Sequence, residues 1–177
     1  MKKLLKVIGF LLAPVVLYVI YIMVSPPVSP LETTTSEDAI YEVEYSRPFK
    51  KDRIIFGSEE DGALVPFGKY WRTGANAATT FSTTKDITFG GMPLKAAKYS
   101  LYTIPGKEEW TVALNENDTN FAYFEADSTT DVLRVLAKSI KTTESVEQFT
   151  IDFSTDDSLN TTLNLKWDKT MISIPLK

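Results

Sequence analysis

Six residues near the C-terminus, Phe149 to Ser154, alternate strictly between apolar and polar, with Phe149, Ile151 and Phe153 on one side and Thr150, Asp152 and Ser154 on the other. Side chains that alternate with a period of two lie on opposite faces of a strand, so one face meets a core and the other meets water. The pattern recurs in Leu163, Leu165 and Trp167, in Trp110, Val112 and Leu114, and in Ile172, Ile174 and Leu176. Short runs of this kind, about nine or ten in all, follow one another from Ile40 to the end. They predict an all-β chain, an antiparallel β-sandwich or jelly roll. The segment from Asp127 to Ile140 has a composition that a helix would accept, but its β-branched alternating residues and strand neighbours read as a strand. Paired glycines supply positive φ, so Gly90-Gly91 predicts a tight hairpin, and Asp168-Lys169 is read as the connection between the last two strands.

The N-terminus breaks this pattern. An uncharged run of 18 residues, Val7 to Val24, follows Lys2, Lys3 and Lys6. Counted from Leu4 the apolar stretch is 21 residues, and about 20 cross a bilayer as a helix. The run ends in Met-Val-Ser-Pro-Pro, without the small-residue pattern of a cleavage site, which favours an uncleaved anchor over a signal peptide. Lysines before the span predict a cytoplasmic N-terminus, with the rest of the chain outside the cytoplasm. The expected organisation is a transmembrane anchor over 1–24 (partner: the inner membrane, through 4–24), a Pro/Ser/Thr linker over 25–38 and an extracytoplasmic domain over 39–177.

Composition removes several chemistries. The chain has no cysteine and no histidine, so disulfides, thiolate and imidazole metal ligands and the commonest general base are lacking. No cofactor and no metal is expected. Setting aside the three N-terminal lysines leaves 16 basic against 23 acidic residues, a net −7. An acidic domain repels a phosphate backbone, so nucleic acid is not an expected partner. The acidic clusters lack calcium-loop spacing and read as solvated turns.

Only four arginines occur, and Arg47, Arg53 and Arg72 fall within 26 residues of one another. Arginine presents a rigid fork of donors to carboxylates and phosphates. Arg47 follows a strand and precedes Pro48, where ladder pairing stops. Arg72 lies in Trp-Arg-Thr-Gly-Ala-Asn, an irregular stretch, and loops at one end of a sandwich are where sites are built. Arg47, Arg72 and Asn76 are therefore the candidate polar group of a ligand site, with Tyr45 and Trp71 as its walls. The competing expectation is that such an arginine pins a loop by pairing with Glu44, Asp52 or a carbonyl. Arg53 and Arg134 read as structural.

The same residues carry a resemblance. Tyr45-Ser46-Arg47-Pro48, the segment Trp71 to Asn76 with Thr79, and "YSLYTIPGKEEWTVALN" resemble a bacterial family known only as a domain of unknown function, number twenty-nine eleven. The likeness runs from about Ser29 to Lys177. It implies a secreted or membrane-attached β-rich protein and implies no activity. Where that family usually has glutamate, this chain has Ala77, so a catalytic role at that position would be lost here. Three functions follow as expectations: a module binding a small anionic ligand, a glycan or a peptide; a structural or assembly accessory of the envelope; and a carboxylate-dependent hydrolase, ranked last because histidine and cysteine are missing.

Overall fold

The computed structural model describes residues 12, 14–18, 28–117 and 124–177. Among them no helix is long and apolar enough to cross a membrane. The span expected over 4–24 lies outside the described residues apart from 12 and 14–18, which are helical.

The domain is all-β. Six strands, β1 (Leu31–Thr35), β2 (Tyr41–Ser46), β5 (Thr79–Thr83), β8 (Lys98–Ile104), β9 (Glu109–Asn115) and β10 (Asp131–Lys138), form one antiparallel sheet in that order. A second sheet has the order β11 (Ile140–Thr155), β12 (Thr161–Leu176), β6 (Ile87–Phe89), β7 (Met92–Leu94), also antiparallel. Two short pieces, β3 (Phe56–Gly57) and β4 (Val65–Pro66), pair in parallel.

The alternating side chains meet between the two sheets. Val43, Phe81, Leu101 and Leu114 from the first and Phe89, Ile151, Leu163 and Trp167 from the second are buried in one cluster. Tyr41 stacks on Phe153 across the sheets at 5.9 Å, and Tyr45 meets Phe149 edge-on at 5.7 Å. Within the stretch at 127–140, Asp131–Lys138 is the strand β10, as the alternation predicts, after one 3-10 turn at Ser128–Thr130, and Ile140 begins β11. Gly90 and Gly91 join β6 to β7 with φ of 57° and 87°, the positive values a two-residue hairpin needs. The turn packs against β10, where a Cβ on Gly90 would sit 3.0 Å from Val135.

Two expectations are corrected. The segment read as a linker over 25–38 contains β1, which pairs with β2 from Leu31↔Ser46 to Thr35↔Glu42. Its threonines are β-branched and suit a strand, while its exposure on both faces hides it from a hydrophobic pattern. Asp168-Lys169 is not a hairpin. Strand β12 runs through it, and the chain turns earlier, at 156–160, where Asp156 Oδ1 accepts from the N–H groups of Ser158 and Asn160. Asp168 instead takes φ 50° beside two shifts of register, as a bulged position in the β11–β12 ladder. Lys50 Nζ and Ser145 Oγ each donate to its carboxylate at 2.7 Å, which is how a strand interior absorbs the acid.

Candidate functional site

The stretch Tyr70 to Ala78 crosses one end of the sandwich. Trp71 is held by paired backbone hydrogen bonds with Thr103 at 2.8 and 2.9 Å. Its indole packs into the core, stacked on Trp167 at 5.8 Å with planes 20° apart, and its N–H donates to Gly74 O at 3.1 Å. Thr73 and Asn76 both take φ 58°, and Gly74 lies at φ 154°. A Cβ on Gly74 would come within 2.9 Å of Ser46 O, so only glycine lets this loop lie against the end of β2. Thr79 Oγ1 donates to Thr73 O at 2.7 Å and closes the loop.

A cavity of about 390 Å³ opens against this loop. Its lining includes Trp71, Trp167, Pro48, Phe49, Leu64, Val65, Val28 and Ser29. Its polar side chains include Arg53, Arg72 and Asn76, and among the described residues its lining contains no carboxylate. Arg72 Nη1 donates to Asn76 O at 3.1 Å, and Asn76 Nδ2 donates to Ser29 O at 3.4 Å. Arg53 follows a turn in which Lys51 and Asp52 take φ 49° and 58°. Its Nε donates to Lys50 O at 2.9 Å and its Nη2 to Phe49 O.

Three of the five residues singled out by sequence, Trp71, Arg72 and Asn76, thus line one cavity. The other two do not. Arg47 pairs with Glu32 at 2.7 Å and donates to Phe149 O at 3.0 Å and to Thr150 Oγ1 at 2.8 Å. Tyr45 is 1% exposed; its hydroxyl donates to Ile151 O and accepts from Ile151 N, and burial pushes its phenol up. Arg47 is thus engaged by Glu32 and β11 and does not line the cavity with Arg72 and Asn76. Its place is taken by Arg53, which sequence reasoning read as structural. Arg53 shares an eight-residue stretch with the Ser-Arg-Pro motif, and that proximity was the available signal.

A second polar group lies on β8, β9 and β10. Asp131 accepts from Tyr102 Oη at 2.6 Å, Asn115 Nδ2 at 2.9 Å and Arg134 Nε at 2.7 Å. Burial, and then the bond to Asp131, push the Tyr102 phenol far up, so it stays protonated as a donor. The group is internally satisfied and pins the start of β10. Among the described residues no cluster of acids could hold a metal ion.

Fold and cavity together define an all-β domain with an arginine-rimmed pocket at one end of two packed antiparallel sheets. The chain belongs to the family described as "Protein of unknown function (DUF2911)", whose model matches residues 27–176. No curated protein and no solved structure matches it.

Proposed function

We propose that this chain is a binding module for a small anionic ligand, glycan or peptide, held outside the cytoplasm by an N-terminal membrane anchor. One observation carries the reading. Of the four arginines, Arg47 and Arg134 are paired with Glu32 and Asp131, whereas Arg53 and Arg72 have no carboxylate partner among the described residues. Both of these unpaired cations line the same cavity. Two guanidinium groups against a partly apolar lining with no acid attract an anion and retain an apolar body beside it. A lining without carboxylates also favours binding over acid–base hydrolysis.

Thermal melts of the full-length chain in detergent test this, with acetate, sulfate, glucuronate and short acidic peptides as probes. Wild type is expected to melt higher with at least one probe, and Arg72→Lys to lose that shift while keeping its own melting temperature. A destabilised Arg72→Lys variant together with no shift in wild type would make Arg72 a loop anchor and end the proposal. The anchor rests on the three lysines and the apolar run at 4–24. Protease added to spheroplasts should digest the domain, and a protected domain would reverse the orientation.

A further inference from the structure

The donors and acceptors left open in the cavity narrow the ligand further. Arg72 spends Nη1 on Asn76 O, and among the described residues nothing else binds its guanidinium. Its Nε–Nη2 edge remains, two parallel donors that match the two oxygens of one carboxylate. Arg53 spends Nε and one N–H of Nη2 on backbone carbonyls, which leaves both N–H groups of Nη1 and one of Nη2 as further donors. Asn76 spends Nδ2 on Ser29 O, and among the described residues its Oδ1 accepts nothing. Asn76 is exposed, and its oxygen is open to an N–H or O–H that a ligand brings and a bare inorganic anion does not.

The apolar lining separates a sugar acid from a peptide end. Sugars are held by stacking on exposed aromatic faces, but Trp71 is 8% and Trp167 1% exposed, so these two rings offer little face to a ligand. Leu64 at 43% and Val28 at 70% exposure are the most exposed apolar groups of the lining, and they are aliphatic, while Phe49 is half-buried. A cavity of about 390 Å³ is near the lower end for small-molecule sites and holds only one or two amino-acid residues.

Resting on the reading of this cavity as an anion pocket, we propose that its ligand is the C-terminal residue of a peptide with an apolar last side chain. One tetrahedral carbon then carries all three matching groups. The α-carboxylate lies on the Arg72 edge within reach of the Arg53 Nη1, the amide N–H donates to Asn76 Oδ1, and the side chain lies against Leu64 and Val28. Each open group in the cavity meets its complement in a single residue.

Calorimetric titration of the full-length chain in detergent tests this with four probes: acetyl-Ala-Leu, its C-terminal amide, acetyl-Ala-Gly and glucuronate. Acetyl-Ala-Leu is expected to bind at least about tenfold more tightly than each of the others. Arg72→Lys should bring the acid and the amide to equal affinity, and Leu64→Ser should bring the Leu and Gly peptides together. Glucuronate binding as tightly as the peptide, or acid and amide binding alike in wild type, overturns the peptide assignment and leaves the anion pocket standing. Binding of none of the probes, with no thermal shift from any anion, overturns both. The wild-type ratios decide the matter even if a variant fails to fold.

Discussion

Arg47 Nη1 lies 2.7 Å from Glu32 Oε2, and the same guanidinium reaches Phe149 O at 3.0 Å and Thr150 Oγ1 at 2.8 Å. One side chain therefore ties the edge strand β1 and the end of β2 to β11 in the opposite sheet. Lysine keeps the charge but cannot serve three acceptors from one plane. Arg47→Lys is expected to lower stability by roughly 2 kcal/mol while leaving ligand shifts intact, the reverse of Arg72→Lys. Urea unfolding of the two variants side by side checks the contrast, and equal losses would refute it.

Trp110 and Trp167 are 2% and 1% exposed and share Phe56 as an edge-on neighbour at 4.8 and 6.1 Å. Either Trp→Ala should cost roughly 3–5 kcal/mol through the cavity left behind. The Trp110 Nε1 is buried without a hydrogen-bond partner among the described residues, whereas that of Trp167 donates to Glu147 O at 3.4 Å. Trp110→Phe removes an unsatisfied donor and should cost less than Trp167→Phe, as chemical denaturation would show.

The strand alternation was legible because burial on one face leaves a period of two in the sequence, as in Phe149, Ile151 and Trp167. Strand β1 was not, since its residues are mostly exposed and carry no such imprint. That omission propagated to the site. Glu32 lies on β1, so reading this segment as a linker concealed the partner that occupies Arg47. Asp168 misled for a related reason: it resembles a turn residue until Lys50 and Ser145, distant in sequence, supply its hydrogen bonds. Trp71, Arg72 and Asn76 were found because a short loop keeps neighbours in sequence close in space.

Burial alone would raise the Asp168 carboxyl, but hydrogen bonds from Lys50 and Ser145 outweigh it and hold the group below its ordinary 3.8. A group lower in the folded than in the unfolded chain contributes stability above its unfolded value and loses it as pH falls through the folded one. Stability should therefore drop on acidification below about pH 4. Asp168→Asn, which tolerates the same positive φ, should be less stable at neutral pH and show a shallower acid dependence. Urea midpoints measured from about pH 7 to about pH 2 test this, and parallel curves for the two proteins would contradict it.

Gly74 combines φ 154° with a close approach to Ser46 O, where a Cβ would lie at 2.9 Å. Gly74→Ala is expected to cost about 1–3 kcal/mol and to displace the loop that carries Arg72 and Asn76. Its anion-dependent melting shift should vanish along with the stability. A variant that melts like wild type and still responds to ligand would show that the loop accommodates the methyl group.

The β6–β7 hairpin gives the domain a definite order of completion. Its outer ladder partner is the last part of β12 and Lys177 after it: Phe89 pairs with Leu176, Gly90 N donates to Pro175 O at 2.9 Å, and Thr88 and Lys177 exchange hydrogen bonds at 2.6 and 3.0 Å. Synthesis proceeds from the N-terminus, so the meander of the larger sheet acquires each neighbour soon after it is made. The hairpin, finished by residue 94, waits for 81 further residues, up to Pro175. Until Pro175 and Leu176 emerge, Phe89, which ends with 0% exposure, has β7 on one side and no strand on the other. A polypeptide stalled before Pro175 would carry an almost complete domain with an unclosed apolar edge, the state that chaperones and proteases recognise.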